Sequence, residues 1–292
     1  MSALNRLADS VAERIVDLTD LDRLATPLAS AVSELFGRSG LKDVFSGSWF
    51  GHPLHPLLTD LPIGSWTSAM VLDFVGGRRA QPAADALVAV GIATAVPTAV
   101  TGLSDWSDLG DVDRRIGLVH ATANSIAVAC YVASLVARRR GRRPAGVILG
   151  VAGATAATAG GFLGGHLVYR QALGANHVED VPELLPDGWH AVADLDDLPD
   201  GLTRRVVETV PVLVYRDGTE IRALADRCSH LSGPLHEGRL VHERDGACVV
   251  CPWHGSEFSL ADGSVVHGPA TSPQPSFRTR ITDGRVEIAL SE

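Results

Sequence analysis

Only four cysteines occur in 292 residues, and that scarcity excludes a disulfide framework. No uninterrupted apolar core occurs in residues 1–45, so a cleavable secretory signal is not expected there. Basic residues are in deficit. The chain has 25 Lys and Arg against 34 Asp and Glu, a net charge of −9, which argues against nucleic acid as a partner. Polarity is also unevenly spread: residues 57–169 are very rich in Ala, Val, Gly and Leu, whereas 178–292 is polar and acidic. A chain of this length and asymmetry suits two domains better than one core.

The apolar half contains four stretches, roughly 57–75, 84–104, 116–137 and 145–169. A helix crossing a bilayer needs about 20 mostly apolar residues. The last three stretches satisfy this, while the first carries Asp60 and Asp73 near its ends and is the weakest. Glycine is dense in the fourth, from Gly146 to Gly165, which suits close helix–helix approach in lipid. The pattern predicts a four-helix transmembrane bundle over 46–174. Ahead of it, Leu4, Leu7, Val11, Ile15 and Leu18 recur at helical spacing, continued after Pro27 by Leu28 to Phe36. Residues 1–45 therefore read as amphipathic helix that packs on a neighbouring domain, because basic residues do not dominate its polar face.

Loop charge gives an expected orientation. Arg78 and Arg79 lie in the first loop and five arginines between Arg138 and Arg143 in the third, whereas the second carries Asp105, Asp108, Asp111 and Asp113. The positive-inside rule places loops one and three in the cytoplasm and the C-terminal domain outside. Polar side chains at membrane depth are functional candidates: here His52, His55, Asp60, Asp73, His120, Asn124 and His166. Four spans put the histidines at one membrane face, the face that leads to the C-terminal domain. Three readings stand open for them: helix caps and interhelical hydrogen bonds, axial ligands of a b-type haem, or a quinone or metal pocket.

From Trp189 the chain reads as short strands separated by turns, an antiparallel β domain over 187–292, joined to the bundle by a linker at 175–186. Inside it stand Cys228-Ser-His230 and Cys251-Pro-Trp-His254. Two thiolates and two imidazoles on two short loops suit a [2Fe–2S] cluster with His₂ in place of Cys₂ on one iron. A Cys₂His₂ zinc site is the competing reading, although zinc fingers usually pair Cys with Cys and His with His.

The segments Cys228–Gly238 and Cys251–Phe258, with Gly268-Pro-Ala270, Pro275 and Phe277, closely resemble the cluster loops of Rieske ferredoxins. The resemblance covers about 187–290 and implies Cys228, His230, Cys251 and His254 as ligands of the cluster. Rieske proteins of the quinol-oxidising respiratory complexes have an extra cysteine in each loop. Here Ser232 or its neighbours and Trp253 occupy those places. Ser256 is available to hydrogen-bond the cluster, while Phe258 replaces a tyrosine hydroxyl. Fewer donors to the sulfurs imply a potential below the respiratory type. The absent disulfide favours a reducing compartment, against the loop-charge argument. Gly51-His-Pro-Leu-His-Pro-Leu-Leu-Thr-Asp-Leu-Pro-Ile63, with Gly102, His120 and Gly165-His166, resembles domain of unknown function 2231, over about 50–175, and implies no activity.

The expected function is a membrane-anchored electron carrier that exchanges single electrons with a redox partner protein, or with a haem or quinone in the bundle. The rivals are a redox sensor, a quinol-oxidising subunit, and a ferredoxin component of a multi-subunit oxygenase or reductase. A stand-alone Rieske oxygenase needs a mononuclear iron held by two His and a carboxylate. Only about forty residues follow His254, so no such domain is expected.

Overall fold

The computed structural model describes residues 3–38, 40–244 and 246–291. It divides into two compact units. The helical unit comprises residues up to Leu41 and Leu54–Leu173; the β unit comprises Lys42–Pro53 and everything from Gly174 onward.

The helical unit holds α1 (Ala3–Val16), α2 (Asp22–Arg38), α4 (Leu54–Val75), α5 (Gln81–Trp106), α6 (Asp111–Arg139) and α7 (Arg143–Gln171); α3 (Leu41–Ser46) lies at the unit boundary. The stretch Arg78–Trp106 and helices α6 and α7 are each 29 residues and apolar enough to cross a membrane. The fourth helix of the bundle, α4, is outside that group by composition, in line with its aspartates. Helix α2 begins at Asp22, so Pro27 lies inside it. The first two helices pack on the bundle through Ile15 against Ile116, Leu163 and Leu167, and through Ala25 and Ala29 against Trp106 and Leu109. Arg115 Nη2 clamps them with an ion pair to Asp22 at 2.6 Å. The side chains of Leu4 and Leu7, expected on the apolar face of α1, lie outside the described residues.

The bundle is built twice over. Helix α4 corresponds to α6 at an offset of 65 residues, and α5 to α7 at an offset of 62. In the first helix of each hairpin, His55, Trp66 and Asp73 match His120, Tyr131 and Arg138. In the second, Gly91, Thr98 and Gly102 match Gly153, Gly160 and Gly164. The matched side chains of α4 and α6 meet one another. The rings of His55 and His120 are 6.2 Å apart, Trp66 stacks on Tyr131 at 4.1 Å, and Asp73 pairs with Arg138. A pseudo-twofold axis therefore runs along the bundle and passes through three layers. Such parallel repeats about an axis along the membrane normal occur in other membrane folds.

Eighteen residues separate His55 from Asp73 and His120 from Arg138. At 1.5 Å per residue this is about 27 Å, close to the hydrocarbon thickness of a bilayer. The aromatic layer lies between, so the two polar layers bracket the apolar slab. The far layer is a closed network. Arg138 Nη1 donates to Asp73 at 2.9 Å and to Asp85 at 3.0 Å, and Arg143 reaches the same two carboxylates at 2.6 and 2.9 Å. Arg138 and Asp73 side chains are 1% and 3% exposed. Two arginines counted as loop charge are thus consumed by aspartates of the bundle.

In the β unit a six-stranded antiparallel sheet has the order β1-β10-β9-β4-β3-β2, and a four-stranded antiparallel sheet the order β5-β6-β7-β8. Strands β1 (His190–Asp194), β2 (Gly201–Val207), β3 (Val210–Asp217), β4 (Glu220–Ala225), β9 (Ser276–Thr282) and β10 (Arg285–Leu290) form the first; β5 (Arg239–Glu243), β6 (Gly246–Val250), β7 (Glu257–Ser259) and β8 (Val265–His267) form the second. Alternation along β3 divides the core: Val212 and Val214 face one cluster, Leu213 and Tyr215 the other. The second cluster contains Cys228, Cys251, Leu235, Val249, Phe258 and Leu260, so the metal loops rest on it. The expected linker 175–186 is packed rather than free, with Val178, Val181 and Leu185 in the first cluster around the one-turn α8 (Val181–Leu184).

The ion network sets a prediction. Asp73→Ala leaves Arg138 buried without its principal partner and costs about 3–5 kcal/mol. Asp85, whose side chain is 31% exposed, costs clearly less on the same change. Thermal unfolding of detergent-solubilised protein reads both; equal effects would reject the network as the stabilising element.

Candidate metal centre

Two loops carry the candidate ligands. One joins β4 to β5 and the other closes the β6–β7 hairpin, where Val250 pairs with Glu257. They make the same turn. Cys228 N–H donates to Gly233 O and Cys251 N–H to Ser256 O, each at 2.8 Å. Ser232 N–H returns to Cys228 O at 2.9 Å and Gly255 N–H to Cys251 O at 3.1 Å. The residue four places on is left-handed in both loops, Ser232 at φ 63° and Gly255 at φ 77°. Both loops then aim main-chain amides at their sulfur: those of His230 and Leu231 at Cys228, those of Trp253 and His254 at Cys251. The histidine alone differs in position, two places after the first cysteine and three after the second.

This common turn pairs like with like. The two thiols are within hydrogen-bond reach, and the rings of His230 and His254 are 5.1 Å apart and perpendicular. Cys251, which accepts from Cys228 and from two amides, is lowered to about 7. Cys228 is raised by donating that bond, by burial and by the neighbouring charge. Burial lowers His230 to about 3, helped by the charges of His254, Lys42 and His177. His230 is therefore neutral at physiological pH, and its buried Nδ1 has no hydrogen-bond partner. An orphaned nitrogen of this kind needs an acceptor of its lone pair. Among the described residues no three His, Cys, Asp or Glu side chains converge as they would on one ion. Two thiols beside one another and two imidazoles beside one another fit a two-iron group whose irons are ligated differently.

Close packing holds the loops together. A Cβ on Gly233 would lie 2.8 Å from Cys251 Sγ and 3.2 Å from the Trp253 ring, so only glycine lets the first loop approach the second. Buried Gln274 fixes the first loop, accepting from Ser229 N–H at 3.0 Å and donating to Ala225 O at 2.8 Å. Asp226 accepts from His236 at both its main-chain N–H and ring Nδ1, at 2.8 and 2.7 Å; His236 thus braces the loop. Ser256 is fully buried and its Oγ accepts Ala270 N–H at 3.0 Å, tying the second loop to the Gly268–Ala270 segment. Phe258 is fully buried. Trp253 is 56% exposed.

Two clamps lie outside the expected site. His177 donates its main-chain N–H to Ser229 O at 3.0 Å, and its ring meets Ser232 Oγ at 3.2 Å. Asp43 accepts from Gly268 N–H at 2.7 Å and from the His267 ring at 2.8 Å, which raises the His267 pKa. No local spacing announces these residues, because each acts across more than fifty positions of sequence.

The remaining candidates divide. His55 and His120 come together in the helical unit, each with Nδ1 on a main-chain carbonyl: Thr98 O at 2.9 Å and Gly160 O at 2.7 Å. His166 is half-buried on α7 near Asp113. His52 belongs to the β unit, exposed beside Phe50 at 6.0 Å. An apolar groove of about 630 Å³ along α1, α6 and α7 is lined by residues including Val11, Ile15, Ala123, Phe162 and Leu163, and no histidine lines it.

Comparison with known proteins divides the chain in the same way. The family described as Rieske [2Fe-2S] domain matches residues 188–278, and that described as Predicted membrane protein (DUF2231) matches 51–177. A 3-phenylpropionate/cinnamic acid dioxygenase ferredoxin subunit of Photorhabdus laumondii is 36% identical over 101 residues, 35% of this chain and 93% of that protein. An anthranilate 1,2-dioxygenase ferredoxin subunit of Burkholderia cepacia is 36% identical over 101 residues, 34% of this chain and 90% of that protein.

Gly233→Ala is expected to lower cluster content per chain several-fold, measured by visible absorbance and iron analysis. Ser232→Gly, which removes a left-handed non-glycine residue, keeps full loading. Full loading of Gly233→Ala would reject close approach as a constraint.

Proposed function

This chain belongs to the Rieske [2Fe–2S] family, and on that premise we propose that it is a membrane-anchored carrier of single electrons. The observation that carries the reading is the paired set of thiols and imidazoles at one end of a β unit whose chain also forms long apolar helices. When bound at Cys228, His230, Cys251 and His254, a [2Fe–2S] cluster supplies reversible one-electron chemistry.

The chain's own residues set the terms. The four amides aimed at Cys228 and Cys251 stabilise negative charge on sulfur, and that stabilisation favours the reduced state. Phe258 offers no donor. Burial of His230 keeps its ring neutral and in place, while half-exposed His254 and exposed Trp253 form the rim that a partner protein meets. The partner is a redox protein; on the membrane side this reading adds a haem or a quinone at the histidine-bearing end of the bundle. A second reading, a ferredoxin component of a multi-subunit oxygenase or reductase, is favoured by relatives that are themselves dioxygenase ferredoxin subunits.

Exposed Arg78, Arg79, Arg139, Arg140 and Arg142 lie at the end of the bundle opposite the histidines. By the positive-inside rule we place that end in the cytoplasm and the β unit outside. Protease added to intact spheroplasts is expected to cleave the β unit; cleavage only after lysis would reverse the orientation.

Redox titration of the full chain should give a midpoint near the lower limit of the Rieske range, about −150 mV. Paramagnetic resonance of the reduced protein should show hyperfine coupling from two imidazole nitrogens. A zinc-loaded, iron-free protein would sink the proposed function, and a midpoint near the upper limit, about +300 mV, would sink the donor argument.

A further inference from the structure

We propose that His55 and His120 form a paired-imidazole site for one metal centre, either haem iron or a single transition-metal ion, on the pseudo-twofold axis of the bundle. The use of such a centre as an electron relay rests on the carrier reading above; its existence rests on the bundle alone.

The same device occurs in both hairpins. The His55 ring lies over Gly102 of α5, where a Cβ would stand 2.6 Å from Cε1, and its Nδ1 meets the carbonyl of Thr98, four residues earlier. The His120 ring lies over Gly164 of α7, where a Cβ would stand 3.0 Å from Cε1, and its Nδ1 meets the carbonyl of Gly160, again four residues earlier. The duplication makes the arrangement once in each hairpin, and the two rings stand 6.2 Å apart across the axis, nearly perpendicular at 80°.

Carbonyl oxygen only accepts, so each Nδ1 carries a proton, and in the neutral ring each Nε2 keeps its lone pair. This is the arrangement that main-chain carbonyls impose on metal-binding histidines. Asn124 completes the surroundings of His120, donating to its main-chain O at 2.9 Å and lying 3.3 Å from Nε2. The ring separation also fits. Two metal–nitrogen bonds of about 2.0–2.1 Å, extended by the two ring radii, put imidazole centroids about 6 Å apart; the observed value is 6.2 Å.

The other axial layers strengthen the contrast. Trp66 with Tyr131 and Asp73 with Arg138 are unlike pairs held by stacking and by charge. The histidine layer is the one matched layer with the same residue in both repeats. Two neutral imidazoles with Nδ1 on a carbonyl cannot bond one another through Nε2; a metal ion would accept both lone pairs, displacing the Asn124 amide from His120 Nε2. His166 and His52 have no place in this symmetry and are excluded from the site.

The test uses the full chain in mild detergent, assayed for haem by the pyridine haemochromogen method and for metals beyond two irons per chain by plasma mass spectrometry. One equivalent of haem, or of one further metal, is expected as purified or after addition of hemin, Fe²⁺, Cu²⁺ or Zn²⁺ singly. His55→Ala and His120→Ala should each lose it while the paramagnetic signal of the [2Fe–2S] cluster persists. His52→Ala and His166→Ala should keep it. His55→Met and His120→Met, which retain a ligating atom, should change the spectrum of the centre; should the alanine variants aggregate, these and X-ray absorption of the wild type decide. Failure of every probe to bind at one equivalent, or retention in both alanine variants, overturns the site without touching the cluster assignment.

Discussion

The main chain orients the functional side chains of this protein, and it can come close enough only where glycine faces them. Cys228 and Cys251 are fixed by amides of their own loops, and the two loops meet because Gly233 has no Cβ to strike Cys251. His55 and His120 are fixed by carbonyls of neighbouring helices, reached across Gly102 and Gly164. A side-chain donor in the same role would bring rotamer freedom and a second polar group to be satisfied. A main-chain group is already in place when the fold forms.

The polarity of the main chain differs between the two places, and the difference matches the chemistry. Sulfur carries negative charge and gains more on reduction, so it is met by N–H groups. In the site proposed above imidazole keeps one nitrogen for a ligand, while the other is occupied by C=O, which fixes the tautomer of the neutral ring. In the β unit the amides keep both sulfurs in one environment although the histidines sit at different offsets. The repeated turn explains the uneven spacing of C-x-H and C-x₂-H: the cysteine frame is identical, and only the reach of each imidazole to the shared centre differs.

What could be read from the sequence follows from how far apart the interacting residues lie. The four side chains that the two loops bring together were legible because each loop carries its pair within four residues. The spans were legible because hydropathy is local, and α4 looked weakest because Asp73 is a charge whose partner, Arg138, lies 65 residues away. For the same reason Arg138 and Arg143 read as loop charge when they are ion-pair partners of Asp73 and Asp85. Asp43 and His177 reach the cluster loops from segments that read as helix and linker, and nothing in their neighbours marks them. The duplication was present in the sequence as two matched sets of histidine, aromatic and charge. It becomes visible only once helices pair the offsets of 65 and 62.

A pseudo-twofold axis imposes its own rule on what can stand upon it. Each side chain on the axis meets its own counterpart, so an identical charged pair at the depth of Asp73 and Arg138 would bury two like charges at contact, at a cost of several kcal/mol per ion after relaxation. That layer must therefore be unlike, and it is an ion pair. An aromatic layer is free to be like or unlike, since stacked rings attract either way. A layer of identical histidines is tolerated when both are neutral, and the carbonyls of Thr98 and Gly160 then fix the proton on each Nδ1. Symmetry, burial and tautomer thus form a single constraint. It leaves one Nε2 lone pair on each ring, at the end of the bundle opposite Asp73 and Arg138.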